Sequence, residues 1–116
     1  MFRRIFQVLS LTVLASCATV DITKTSSGYS EPTDPNKVEI LKTRPEQTYT
    51  ELGTLTVTGF DSSDVAKMHN AIRQKAAPLG AHAVIVTEEG MVPEGFGNYS
   101  RWATGVAIRY ETKPTQ

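Results

Sequence analysis

Cysteine is almost absent from this chain, in which Cys17 is the only one among 116 residues. A disulfide needs two cysteines, so no bond of this kind can cross-link the folded domain. Small exported domains often depend on disulfides for their stability. Here the packing of apolar side chains has to stabilise the fold.

An excess of positive charge is also missing. Lysine and arginine together number 12, and aspartate and glutamate also number 12. Proteins that bind nucleic acids neutralise phosphates with clustered basic residues. The sequence has no such basic stripe, and we therefore expect no nucleic-acid partner.

The chain has no long hydrophobic run either. Its most apolar segment, Ile5 to Ala15, covers eleven positions, whereas a membrane-spanning helix needs about 20. Arg3 and Arg4 precede this segment, and a short apolar run after a positive start is typical of a secretion signal. We therefore predict a signal peptide over residues 1–16.

The residues Leu14-Ala15-Ser16-Cys17 resemble the bacterial lipobox. The resemblance implies that Cys17 receives a diacylglycerol group, that the signal is removed before Cys17, and that the new amino group is acylated. Two or three acyl chains hold a protein on a bilayer essentially permanently. An ordinary secreted protein, cut after Ala18 and without an anchor, is the alternative.

The residue after the predicted lipid anchor concerns the choice of membrane. Ala18 is not the aspartate that commonly retains lipoproteins at the inner membrane of Gram-negative cells. For a Gram-negative host, the resemblance therefore implies a lipid-anchored protein of the outer membrane that faces the periplasm. The lipid bilayer, reached through acylated Cys17, is the first expected partner.

Residues 17–36 are polar and contain two prolines, which favours a flexible linker that follows the lipidated N-terminus. The remaining residues, 37–116, are predicted to form one small α/β domain. Apolar patterns predict strands over residues 37–41, 48–58, 81–86 and 105–111. We expect an α+β fold with a single-layer sheet of about four strands, in the order β-β-α-β-β, and one helix packed on one face.

The helix is predicted from apolar residues at spacings of three and four, which follow the helix-opening segment Asp61-Ser62-Ser63-Asp64. These residues are Val65, Met68, Ile72, Ala76 and Leu79. In the preceding strand, Leu52 is out of phase with Leu55, so we predict a β-bulge at Gly53. The helix should cover one side of the sheet.

Three segments of the domain carry a family resemblance: Tyr49-Thr50-Glu51-Leu52-Gly53, Lys75-Ala76-Ala77-Pro78-Leu79-Gly80-Ala81-His82-Ala83-Val84 and Gly105-Val106-Ala107-Ile108. They resemble the small envelope lipoproteins related to the Rcs stress-sensor lipoprotein, whose disulfide cysteines are absent here. The resemblance implies a fold and a possible role in sensing envelope stress. The turn from Leu79 to Val84 is also similar to one in small cytoplasmic domains, which implies a ligand-binding or metal-binding domain.

Motifs that carry chemistry are scarce. His69 and His82 are the only histidines, and with Glu88 or Glu89 they could bind a metal. Histidines without motif spacing are more often solvated or hydrogen-bonded. The sequence has no nucleophile elbow, phosphate-binding loop or paired cysteine and histidine. We expect no catalytic residues, no metal, no cofactor and no enzymatic activity.

The glycine-rich segment from Glu88 to Trp102, predicted as a loop, contains residue types that dominate protein-binding hot spots. We predict that four of them bind a partner: Phe96, Tyr99, Arg101 and Trp102. The alternative is that Phe96 and Trp102 fold back over the open face of the sheet.

The leading hypothesis is a membrane-anchored, non-catalytic lipoprotein that binds an envelope protein or senses envelope stress in the periplasm. The first alternative is an oligomeric domain that binds a small ligand or a metal. A hydrolase is the third hypothesis. It would require a cleft that brings Glu88, Glu89 and a histidine together.

Overall fold

The computed structural model describes residues 19–25, 28 and 30–111. The predicted signal peptide and Cys17 lie outside the described residues. The secondary structure elements are, in chain order, β1 (Thr19–Lys24), β2 (Glu39–Leu41), β3 (Tyr49–Asp61), α1 (Val65–Ala76), β4 (Ala83–Gly95) and β5 (Asn98–Tyr110), with short 3-10 turns at Pro35–Lys37 and Ala77–Leu79.

Within the described residues, the strands form one mixed sheet of five, in the spatial order β1-β3-β5-β4-β2. Strand β2 pairs with β4 in parallel, and the other neighbours are antiparallel. The prediction of about four strands in the order β-β-α-β-β is therefore wrong. The additional strand is β1, which lies inside the segment that we interpreted as a linker.

Strand β1 is not predicted from the pattern of apolar residues, because its side chains are mostly polar and exposed. Only Val20 packs against the core, and Ile22 is 40% exposed. The strand pairs with β3 from Thr19 opposite Thr58 to Lys24 opposite Gly53. A Cβ atom at Gly53 would lie 2.6 Å from the carbonyl oxygen of Thr23, so glycine is what allows β1 to approach β3 this closely.

The segment predicted as a glycine-rich loop is the far half of a long hairpin. Strands β4 and β5 have 13 residues each and pair antiparallel almost to the turn at Phe96-Gly97. Both turn residues have positive φ, 54° and 78°, as the two-residue type I′ turn requires. The glycines and Pro93 suggested a loop because each lowers strand propensity, but here they lie in the paired strands and at the turn.

The main core lies between α1 and one face of the sheet. Met68, Ile72 and Ala76 of the helix are buried, as the apolar stripe predicted. They pack in one cluster with Leu55 and Val57 of β3. A second, smaller cluster on the opposite face consists of Ala83, Ile85 and Ile108.

The local prediction of a β-bulge at Gly53 is confirmed. The register of β3 against β5 shifts between Glu51 and Gly53, which is the β-bulge expected at this position. Strand β2 lies at the edge of the sheet. Within the described ranges, no helix has the length and apolar character needed to cross a membrane.

Candidate partner-binding site at the hairpin end

The β4–β5 hairpin extends past the part of the sheet that the core covers. On β4, residues Ala83 to Val86 are buried, and every later residue is at least partly exposed. We call residues 87–102 the hairpin end. Most of the large exposed apolar side chains of the described chain are here: Met91 (52% exposed), Val92 (47%), Tyr99 (48%) and Phe96 (104%).

Phe96 is the most exposed of these side chains because it occupies the turn itself. The turn places it at the extreme end of the hairpin, between the last residue of β4 and the first residue of β5, where its side chain is fully exposed. Its φ of 54° is a backbone conformation that bulky residues adopt only rarely. Asparagine, aspartate and glycine are the usual residues at this turn position.

Met91 and Tyr99 lie on the strands of the hairpin end and on the same face. Met91 is opposite Arg101, and Pro93 is opposite Tyr99. Opposite residues of an antiparallel pair share a face, and successive odd-numbered residues of a strand also share one. Met91 and Tyr99 are therefore diagonal neighbours, roughly 7–8 Å apart by the usual spacing of a sheet.

Arg101, one of the predicted binding residues, is engaged within the protein. Its Nε donates a hydrogen bond of 2.7 Å to the carbonyl oxygen of Ser62. The backbone N–H of Ser62 in turn donates to the carbonyl oxygen of Tyr99 at 3.3 Å. These two bonds fasten the hairpin end to the turn between β3 and α1, so Arg101 positions the hairpin.

Trp102, the fourth predicted residue, lies across Gly90 on the neighbouring strand. A Cβ atom at Gly90 would be 2.9 Å from Nε1 of the indole. Because its ring covers this backbone, Trp102 is only partly exposed. Of the two aromatic residues expected to cover the open face of the sheet, Trp102 lies against it and Phe96 does not.

The hairpin end is acidic as well as apolar. Between Val86 and Ser100 the charged residues are Glu88, Glu89 and Glu94. Glu94 and Asp61 line an open, polar pocket together with Tyr99. No pattern in the sequence indicates this pocket, because Asp61 belongs to the helix-opening segment and Glu94 to the segment predicted as a loop.

The negative charge of Glu89 is partly neutralised by a lysine that follows the edge strand β2. Nζ of Lys42, which directly follows β2, forms an ion pair with the Glu89 carboxylate. This hydrogen bond is the largest cause that lowers the pKa of Glu89, and burial opposes it. The ion pair between Lys42 and Glu89 therefore links β4 to the residue that follows β2.

The two histidines and the two adjacent glutamates do not form one site. Glu88 and Glu89 are successive residues of β4 and point to opposite faces of the sheet. His69 lies on α1, on the side of Glu89, whose negative charge raises the pKa of His69. Burial and the cations Arg73 and Lys42 outweigh that effect, so the pKa of His69 is lowered.

His82 lies just before β4, at the end of the sheet away from the turn. Its Nδ1 accepts a hydrogen bond of 3.0 Å from the backbone N–H of Tyr110, and its ring stacks on the Tyr110 ring with 5.7 Å between centroids. Burial, followed by the charge of Arg109, lowers the pKa of His82. In the described part of the chain, no group of three or more histidine, cysteine, aspartate or glutamate residues could hold a metal ion.

Comparisons with known proteins identify a shared fold. No family model matches the chain, and no curated protein matches it. The crystal structure of the Francisella virulence factor FvfA, in the orthorhombic form, is similar with a TM-score of 0.54 and 17% sequence identity. The similarity covers 78% of this chain and 97% of that chain. At this identity, the likeness concerns the fold alone.

Proposed function

We propose that the chain is a non-catalytic lipoprotein of the bacterial envelope that is anchored through acylated Cys17 and binds a partner protein through the hairpin end. The observation that carries the proposal is the contrast in burial within one hairpin. The first residues of β4 are fully enclosed, whereas Met91, Val92, Phe96 and Tyr99 expose apolar side chains to solvent. Grouped apolar exposure of this kind is typical of contact surfaces.

The energetics favour binding over a purely structural role for these side chains. Burying a side chain such as methionine or phenylalanine stabilises by about 1.5–3 kcal/mol relative to leaving it exposed. Phe96 contributes almost none of this to folding, and Met91, Val92 and Tyr99 leave about half of their surface unburied. A partner that covers Met91 and Tyr99 would gain that free energy, with aromatic residues the usual centres of such contacts.

The proposed anchor fits the position of β1. This strand begins at Thr19, two residues after Cys17, and two residues span at most about 7 Å. The lipid would therefore hold the sheet directly at the membrane surface. The resemblance to the lipobox and to Rcs-related lipoproteins supports a location at the periplasmic face of the outer membrane.

Photo-crosslinking in intact cells tests the partner. A photoreactive amino acid replaces Tyr99 in the full chain, and the matched control carries it at Gln74, an exposed residue of α1. We expect a discrete crosslinked protein from position 99 and none from position 74. The same pattern of products at both positions, or no product at position 99, would contradict partner binding by the hairpin end.

Mass spectrometry of the N-terminal peptide tests the anchor. The expected peptide starts at Cys17 and carries the mass of a diacylglycerol group and an acyl chain. A free thiol at Cys17, or a chain that starts at Thr19, would contradict the lipoprotein assignment. The two experiments are independent, because a secreted protein could still bind a partner through Tyr99.

A further inference from the structure

The register of the sheet places the N-terminal end of β1 and the hairpin turn at the same end of the molecule. Thr19 lies opposite Thr58 near the end of β3, and shortly beyond it Phe60 lies opposite Arg101 of β5. The turn at Phe96-Gly97 is at this end, and the opposite end of the sheet holds Tyr49 paired with Tyr110. Any membrane that holds the chain just before Thr19 is therefore on the side of the turn.

The turn also projects further toward that membrane than the attachment point does. Gly97 is four positions before Arg101 in the chain, which corresponds to about 13 Å of strand, and Phe60 lies beyond Thr58 in the same direction. Cys17 can extend at most about 7 Å past Thr19. Phe96 therefore reaches on the order of 10 Å past Cys17 along the strand direction.

From these observations, and resting on the proposed lipid anchor, we infer that the turn itself contacts the lipid: the Phe96 side chain inserts into the interface of the bilayer that holds Cys17, while Met91 and Tyr99 remain above it for a partner protein.

The chemistry of the turn fits a shallow insertion. A fully exposed phenylalanine occupies a turn position that its backbone does not favour, and nothing in the described part of the fold uses its ring. Elements that lie in the interface bury their apolar side chains about 5–10 Å deep, which matches the reach of Phe96 past Cys17.

One charged residue sets the lipid preference. Glu94 is the only charged residue between Val92 and Ser100, and its carboxylate has to stay at the level of the headgroups. Anionic lipids would repel it, since like charges at a membrane surface disfavour approach. The turn should therefore insert more readily into a zwitterionic surface.

Fluorescence quenching by brominated lipid tests the inference on the full acylated chain, purified from membranes and reconstituted into phosphatidylcholine vesicles. Both variants carry Trp102→Phe to remove the native indole. One adds Phe96→Trp, and the matched control adds Gln74→Trp on the exposed side of α1. For an insertion of about 5–10 Å, we expect brominated phosphatidylcholine to quench Phe96→Trp about twofold and to leave Gln74→Trp unchanged.

A second comparison varies the charge of the lipid. Replacing half of the phosphatidylcholine by phosphatidylglycerol should reduce the quenching of Phe96→Trp, and adding Glu94→Gln should restore it. If Trp102→Phe prevents cooperative unfolding, the same measurement is made with Trp102 retained, as the difference between Phe96→Trp and the unsubstituted protein.

The outcomes separate this inference from the proposed function. No quenching of Phe96→Trp in a protein whose acyl groups are confirmed by mass would overturn the inference and leave the anchor intact. Equal quenching of Phe96→Trp and Gln74→Trp would also overturn it, since the domain would then lie flat. An unacylated N-terminal peptide would contradict the anchor itself.

Discussion

The covered half of the sheet, in which α1 packs on β4 and β5, and the hairpin end use similar residues in different environments. In the covered half, Met68 of α1 is 1% exposed and packs with the buried faces of the strands. In the hairpin end, Met91 is 52% exposed although it lies in a regular, paired strand. Regular pairing is therefore not a sign of burial in this protein. The backbone continues the sheet past its core, and the side chains there are available for contacts.

The comparison also separates the two groups of predicted binding residues. Arg101 and Trp102 hold the hairpin end in place, through Ser62 and Gly90 respectively. Phe96 and Tyr99 have no such role in the described contacts of their side chains and stay exposed. Substitutions at Arg101 and Trp102 should alter the conformation of the hairpin. Substitutions at Tyr99 should weaken partner binding, and substitutions at Phe96 should weaken contact with the membrane.

The largest expected effect is the loss of a buried side chain in the covered half. Met68→Ala removes a fully enclosed side chain and should lower the free energy of unfolding by about 2–5 kcal/mol, because the lost burial and the cavity add. Met91→Ala is the matched control and should change the free energy of unfolding by less than about 0.5 kcal/mol. Urea unfolding of both variants measures these changes. Equal losses of stability would contradict the distinction between the covered half and the hairpin end.

A smaller effect is expected where β1 meets β3. Gly53→Ala would place a Cβ atom 2.6 Å from the carbonyl oxygen of Thr23, and overpacking of this kind typically costs about 1–3 kcal/mol. Hydrogen exchange should show β1 opening first. Gly28→Ala serves as the control, since no atom lies within 4 Å of a Cβ there. Unchanged exchange in β1 would mean that the strand does not dock as described.

A still smaller effect concerns pH. The pKa values of His69 and His82 are both lowered from 6.5, mainly by burial. Their stabilising contribution is complete above pH 6.5 and decreases as the pH falls below it, because the unfolded chain takes up protons first. Protonation of His82 would also remove the acceptor for the Tyr110 N–H.

Unfolding measurements at pH 7.5 and 5.5 test this expectation. The unsubstituted protein should be less stable at the lower pH, and the difference should shrink in His82→Gln. Substituting His69 in the same way should remove part of the remaining difference. A pH dependence that is identical in all three proteins would show that these histidines do not cause it.

Sequence reasoning recovered the elements whose patterns depend on burial. The spacing of Met68, Ile72 and Ala76 predicted the helix, and the phase change at Leu52 predicted the bulge, since both follow from which side chains must face the core. Strand β1 could not be found this way. It is held by backbone pairing and the close approach at Gly53, and its side chains carry almost no apolar period.

The residue types at the hairpin end indicated a contact surface from the sequence, but its hairpin conformation could not be predicted. Clustered aromatics near Phe96 and Tyr99 indicated a contact surface, while the glycines and Pro93 indicated a loop. In the structure Gly97 supplies positive φ within the turn and Gly95 supplies it just before the turn, while Gly90 makes room for Trp102. The pocket lined by Asp61 and Glu94 depends on the bulged end of β3 meeting the turn, which no local pattern reveals.

The most direct test combines stability and binding in one double variant, Met91→Ala with Tyr99→Ala. Both side chains are about half exposed, so the free energy of unfolding should change by no more than about 1 kcal/mol, as expected for two exposed sites. A photoreactive amino acid at Pro93, which lies opposite Tyr99 on the same face, should then lose the partner that it captures in the parent chain. Full retention of that crosslink, or a loss of stability comparable to that of Met68→Ala, would contradict the assignment of the hairpin end to binding.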